Sequence, residues 1–194
     1  MGLFEWFTSR SGASNGGLST WHREWRDALA APDTARADSL ARALDALGLP
    51  GDDIEIEREM LDGLRRLLDL EAAVAGAGLP AVQTGHRVIG AESCHFSAPA
   101  SMPDDAAQPA GRLLLTGARA VFVGGGRTAS VPWHAVIDAR HADRDVVLVT
   151  RDRRGFHRFR CNTFADAMCG AFLGRRLAGA RRAQPAAPPS RSAS

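Results

Sequence analysis

Gly111-Arg112-Leu113-Leu114-Leu115-Thr116-Gly117-Ala118-Arg119-Ala120-Val121-Phe122-Val123-Gly124-Gly125 is a pair of short apolar runs hinged at Thr116-Gly117-Ala118 and closed by glycines. Runs this short, rich in Leu, Val and Phe and bounded by turn residues, read as two antiparallel strands. The same grammar extends in both directions. It places strands near residues 86–97, 111–116, 119–124, 127–132, 136–142, 145–150 and 155–161, seven in all. Gly124-Gly125-Gly126 and Asp152-Arg153-Arg154-Gly155 are further reversals, each joining neighbours in an antiparallel sheet. After the last strand, Thr163 with Asp166 three positions on starts a helix that carries Phe164, Met168, Phe172, Leu173 and Leu177. Arg175 and Arg176 fall in its expected last turn, where they complement the helix dipole. Seven antiparallel strands and one amphipathic helix bury their apolar faces if the sheet curls into a barrel or sandwich and the helix plugs its open end.

Ahead of Gly76, Gly78 and Pro80 the period is helical. Trp21, Trp25 and Leu29 form one stripe of a helix stopped by Pro32; Asp33 caps a second helix with Leu40, Leu44 and Leu47, ended by Gly48 and Pro50. The third and longest, after Asp52-Asp53, presents Met60, Leu61, Leu64, Leu67, Leu68 and Val74, with Asp62/Arg66 and Arg65/Asp69 spaced as exposed pairs. The short link makes helices 33–47 and 53–75 an antiparallel hairpin. The expected fold class is therefore α+β: a flexible segment 1–17, a helical region 18–80, the strand-rich domain with its C-terminal helix at 81–179, and a disordered basic tail 180–194.

The chain has 194 residues, 45% hydrophobic and 24% charged, which is the composition of a folded domain and not of a disordered or fibrous chain. No apolar run approaches the ~20 residues of a membrane span. Glu5 and the polar Thr8-Ser9-Arg10 do not fit a secretion signal, and Cys94, Cys161 and Cys169 are an odd, sparse set suited to reduced thiols. The expected address is the cytoplasm, with peripheral contact at the inner membrane face as the variant. Residues 1–80 carry 8 Arg against 14 Asp and Glu, whereas residues 81–194 carry 16 Arg against 8, so the halves have opposite sign. The absence of Lys and Tyr is the mark of a GC-rich, bacterial genome.

The quoted strand pair resembles the "gxLlLTnxRlvFxxg" pattern of bacterial pleckstrin-homology-like and GRAM-type domains, and Ser130-Val131-Pro132-Trp133-His134-Ala135-Val136-Ile137-Asp138 is similar to their "sIPlssIxdv" segment. The resemblance covers residues 86–179 and implies a barrel capped by a helix. Lipid-headgroup binders of that superfamily place Lys and Arg between the first two strands, but residues 99–109 here hold Asp104 and Asp105 and no base. Headgroup specificity is therefore not carried over.

The densest basic feature is Arg151, Arg153 and Arg154, continued by Arg158 and Arg160 on alternate, outward positions of the last strand. It reads as a solvated face or as a docking face for an acidic protein segment or an anionic membrane. The acids of the helical region, Asp52, Asp53, Glu55, Glu57 and Glu59, are a third occupant, by intramolecular docking. Nucleic acid is the weakest partner, with Phe156 alone beside the arginines to stack on. Phe4, Trp6 and Phe7 are candidate interfacial aromatics. Cys94, His95, His157 and Cys161 are soft ligands without metal-site spacing, and no Walker loop, dinucleotide fingerprint or nucleophile elbow is present. The expectation is a non-enzymatic interaction protein without metal or cofactor, binding an unidentified protein partner as a scaffold, the alternative being attachment to anionic lipid.

Overall fold

The computed structural model describes residues 15–152 and 155–183, the side chains of Asn15 and Arg182 excepted. The chain divides into two compact units at Gly76/Ala77.

The first unit holds α1 (Asn15–Ala30), α2 (Thr34–Ala46) and α3 (Glu55–Ala77), with a 3-10 turn at Gly51–Ile54. Asp33 caps α2 by accepting the Arg36 N–H at 2.8 Å, and the Arg36 guanidinium reaches back to the Ala31 carbonyl at 3.0 Å, tying the end of α1 to the start of α2. Trp21 and Trp25 stack with centroids 5.9 Å apart, and the Trp21 indole donates to the Leu40 carbonyl at 2.9 Å. Ala28 occupies the buried end of this stripe and Leu29 is only half-buried. Asn15–Gly17 belong to α1 and not to a linker, because Gly17 sits so close to Leu47 that a Cβ there would lie 2.6 Å from Leu47 Cδ2. Packing extends a helix that propensity alone would not start. On α3, Asp62 pairs with Arg66 at 3.1 Å, but Arg65 points across to Asp38 of α2 at 3.9 Å and not along its own helix to Asp69. That cross-helix contact runs the pair antiparallel.

The second unit holds β1 (Cys94–Ser101), β2 (Ala110–Thr116), β3 (Arg119–Gly124), β4 (Arg127–Pro132), β5 (Val136–Ala142), β6 (Asp145–Thr150), β7 (Phe156–Cys161) and α4 (Phe164–Ala183). The strands form one antiparallel sheet in the order β4-β3-β2-β1-β7-β6-β5. The first strand lies later than the sequence pattern suggests: Arg87–Ile89 is a 3-10 turn, Gly90 turns the chain with φ 55°, and pairing starts at Cys94. Pro99 is accommodated because β7 joins β1 only at Ala100 and Ser101, beyond it. Gly125 and Gly126, with φ 57° and 70°, make the two-residue β3–β4 turn.

The sheet does not close into a barrel. Its edges are β4 and β5, and β1 meets β7 through two residue pairs, Ala100↔Cys161 and Ser101↔Arg160, so the two halves open from a narrow corner. Between β4 and β5 the chain turns through Trp133–Ala135, where the fully buried Trp133 donates to the Thr116 carbonyl at 2.7 Å. The β5 edge is blunted. Ile137 is the unpaired residue of a bulge in β5, and the Asp138 carboxylate accepts the Ala139 N–H at 2.8 Å and the Arg140 Nε–H.

The curled inner face carries Leu113, Leu115, Phe122, Leu148 and Phe159, with Phe122 and Phe159 stacked at 6.2 Å across the fold. Helix α4 lies on β5 and β6 and on the Trp133 turn. Thr163 accepts the Asp166 N–H at 3.1 Å at its start. Contrary to the expected end near Gly179, α4 continues through Ala180-Arg181-Arg182-Ala183, all good helix formers, so Arg175 and Arg176 are mid-helix. Residues 184–194 lie outside the described residues. From Ala167 to Gly174 no residue of α4 is exposed, and the helix approaches the sheet through glycines: a Cβ at Gly174 would lie 3.1 Å from Ala139 Cβ, and one at Gly170 would lie 3.1 Å from Val146 Cγ2.

On the outer face, β2 and β3 are covered by the chain that precedes β1. Val82, Val88 and Ile89 pack over Leu114 and Val121, held down where the Val82 N–H donates to the Cys94 carbonyl at 2.8 Å. Glu92 pins this strap: it accepts from Thr116 Oγ1 at 2.5 Å and from Arg119 Nε at 2.9 Å, while Arg119 Nη2 donates to the Val88 carbonyl at 3.1 Å. Burial pushes the Glu92 carboxyl up, but the Thr116 and Arg119 hydrogen bonds and the Arg119 charge outweigh it and hold it below the usual carboxylate range.

Two outcomes follow from this packing. Gly174→Val overfills the α4–β5 contact and lowers the stability of the second unit by about 1–3 kcal/mol, read by urea unfolding. Because the Glu92 pKa is lower in the fold than in the unfolded chain, its contribution is complete above about pH 4.3 and disappears as pH falls through the folded value. Glu92→Gln is therefore less stable than the parent at pH 7, and the difference narrows in unfolding curves recorded below about pH 4.

Candidate functional site

Strand register places the basic residues of β7 among specific neighbours. Across β5, β6 and β7 the outer face has three rows: Asp138, Val149 and Phe156; Arg140, Val147 and Arg158; Ala142, Asp145 and Arg160. Residues directly opposite in an antiparallel ladder share a face, so each row is a line of touching side chains. Phe156 is 48% exposed, one of two large hydrophobic side chains exposed to this degree among the described residues, and Val147 and Val149 beside it are half-buried. Inner-facing Phe159 and Cys161 alternate with these positions and are buried.

The arginines are not bare. Arg160 makes a two-pronged contact with Asp145, Nε to Oδ1 at 2.8 Å and Nη2 to Oδ2 at 3.1 Å. Asp145 is 4% exposed, and hydrogen bonding to it holds the Arg160 guanidinium above its ordinary value in spite of partial burial. Arg158 places Nη1 3.6 Å from the same Asp145 and turns its Nε and Nη2 edge onto Asp104 of the β1–β2 loop. Arg140 is joined to Asp138, whose carboxyl burial raises, but which the hydrogen bonds from Arg140 and the Ala139 N–H and the charges of Arg140 and Arg175 bring below its usual range. Alternation along β7 reveals which arginines share a face; it carries no sign of Asp104 and Asp145, which reach them from other segments. The carboxylates on Arg158 and Arg160 thus come from within the second unit.

Arg151 is exposed just after β6, whereas Arg153 and Arg154 lie outside the described residues, as do Phe4, Trp6 and Phe7. The soft ligands do not gather. Cys94 Sγ donates to the Phe96 carbonyl at 3.1 Å, His95 Nδ1 lies 2.7 Å from the Pro80 carbonyl, and His157 Nε2 is 3.5 Å from Asp152. The Cys161 thiol is pushed up to about 12 by burial and then by the charges of Asp166 and Asp145, which makes it a poor nucleophile. Among the described residues no group of three or more His, Cys, Asp or Glu side chains is placed to hold a metal ion, and no helix is long and apolar enough to cross a membrane.

No protein-family model matches the chain and no curated protein matches it.

Two other features have charge or depth. His141 on the inner side of β5 is held below its usual range by burial and then by Arg175, with Asp143 opposing, and is half-buried. In the first unit a cleft of about 320 Å³ between α2 and α3 has Leu44 and Leu61 among its walls, with Asp45, Asp62, Arg58 and Arg65 of mixed sign. Also in that unit, the buried Glu57 meets His22 at 3.0 Å, a contact hidden from sequence by the 35 positions between them. Neither the cleft nor this pair concentrates one charge. The outer face of β5–β7 differs in combining an exposed aromatic, flanking valines and arginine forks in one plane.

Asp145→Asn removes the charge and one of the two acceptor oxygens that the buried carboxylate offers to Arg158 and Arg160. It lowers stability by about 2 kcal/mol, the scale of a hydrogen bond to a charged group, as measured by chemical denaturation at neutral pH.

Proposed function

We infer that the chain is a non-catalytic, cytoplasmic interaction protein whose second unit is a pleckstrin-homology-like module that binds another protein through the outer face of β5–β7. The order of elements, seven antiparallel strands and then a helix, supports the kinship. One observation carries the functional reading: Arg158 and Arg160 are paired with Asp104 and Asp145, while Phe156 stands exposed in the row next to Arg158, opposite Val149 of β6.

Attraction to an anionic membrane or to nucleic acid depends on uncompensated positive charge and on the counter-ions it releases. A face whose arginines are already met by carboxylates gains little from either. Recognition of a protein surface asks for something else, an aromatic anchor with apolar neighbours and a rim of Arg that forms directional hydrogen bonds. Phe156, Val147 and Val149 supply the anchor, and Arg140, Arg158 and Arg160 supply the rim. The acidic β1–β2 loop supports the same choice, because a lipid headgroup would meet Asp104 and Asp105 where it needs cations.

The test is photo-crosslinking of the full chain in its own cells, with p-benzoylphenylalanine at position 156 or, as a control, at the exposed Asp69 of α3. The expected outcome is a discrete protein adduct from position 156 and none from position 69, lost when Val149→Asp is added. Salt-sensitive sedimentation of the purified chain with phosphatidylserine vesicles, abolished by Arg158→Glu with Arg160→Glu, would instead establish the lipid-binding alternative and overturn this reading.

A further inference from the structure

The β1–β2 loop is braced without help from Asp104. The Met102 N–H donates to the Pro109 carbonyl at 3.2 Å, the Asp105 N–H to the Met102 carbonyl at 3.2 Å and the Gln108 N–H to the Asp105 carbonyl at 2.9 Å. Asp105 adds its own contacts, accepting the Ala107 N–H at 2.9 Å and pairing with Arg127 at 2.6 Å. Asp104 takes no part in these bracing contacts, and its two oxygens take the Nε and Nη2 edge of Arg158. The carboxylates on Arg158 therefore differ in kind. Asp145 is buried and shared with Arg160, whereas the Asp104 and Arg158 side chains are 28% and 36% exposed, so water reaches the contact and a competitor can follow.

The neighbours of that contact limit what the competitor is. Phe156 precedes Arg158 by two positions on the same face of β7, about 7 Å away along the strand. Val149 and Val147 lie opposite these two residues on β6. An extended segment laid along β7 that carries an apolar side chain and, two positions on, a carboxylate would match both. The guanidinium edge favours a planar two-oxygen acceptor, and the side chain now seated on it is of that type.

We propose that Asp104 is an internal stand-in for the acidic side chain of the partner: an extended apolar-x-acidic segment of another protein seats its apolar residue on Phe156 and the β6 valines and takes Arg158 from Asp104. This rests on the protein-binding reading above and adds the chemistry of the partner and a built-in competitor that sets its affinity. Displacing an exposed ion pair is a small toll, so the loop tunes binding and does not forbid it.

The experiment uses the full chain and a fluorescein-labelled peptide, Gly-Leu-Ser-Glu-Ser-Leu-Gly, followed by anisotropy, with the Gln-for-Glu peptide as control. Asp104→Asn, close in shape and outside the loop's own hydrogen bonds, is expected to bind the Glu peptide about 3- to 5-fold tighter than the parent, the factor corresponding to loss of a competing exposed pair. Adding Arg158→Gln or Phe156→Ser removes the gain, the Gln peptide shows none, and thermal melting confirms that each variant is folded. Equal affinity of parent and Asp104→Asn, no binding by either, or equal affinity for the two peptides overturns the proposal. Displacement of the peptide by millimolar inorganic phosphate overturns it too, by making the site a general anion site. A crosslink at position 156 that persists unchanged in Asp104→Asn while the peptide result is negative removes only this proposal and leaves the protein-binding reading standing. Loss of both removes both.

Discussion

Close contact between α4 and the inner side of the curled sheet is the constraint on which the second unit depends. Gly170 and Gly174 let the helix backbone come within contact distance of Val146 and Ala139, and Met168, Phe172, Leu173 and Leu177 are buried along the same helix. An open seven-stranded sheet has too much apolar surface on its concave side to be stable alone; burial at roughly 25 cal/mol per Å² makes the covering helix part of the core and not an appendage. With α4 seated there, the concave side is core.

The convex side is itself divided. Over β1–β3 the chain supplies its own cover, and the Glu92, Thr116 and Arg119 contacts fix it in place. Over β5–β7 Phe156 stands exposed, and the charges there are settled locally by Asp104, Asp138 and Asp145.

Much of this architecture is legible in the sequence because it is written in local signals. Period-two runs between Gly-containing turns gave six of the seven strands close to their positions, and Asp33 and Thr163 announce the starts of α2 and α4 through hydrogen bonds to backbone groups three residues away. What was not legible is what depends on distant partners. Residues 86–93 have β-forming composition, yet Gly90 turns the chain and tertiary contacts with Leu114 and Val121 make the segment a strap. Strand count and order imply a closed barrel because they do not encode the short Ala100–Ser101 corner. In the site, alternation identified the shared face of Phe156, Arg158 and Arg160, but Asp104 stands 54 positions from Arg158 and Asp145 stands 15 from Arg160. A run of arginines in sequence therefore looks like a basic patch until folding brings its counter-charges.

The bulged outer strand has a bearing on solubility. A sheet with two free margins is a template onto which copies of itself can stack, hydrogen bond by hydrogen bond, into fibres. On β5 the Asp138 carboxylate already takes the Ala139 N–H, and Ile137 breaks the register; on β4, Pro132 ends the strand without a donor. These few atoms take donors and register away from the margins along which such a polymer would grow.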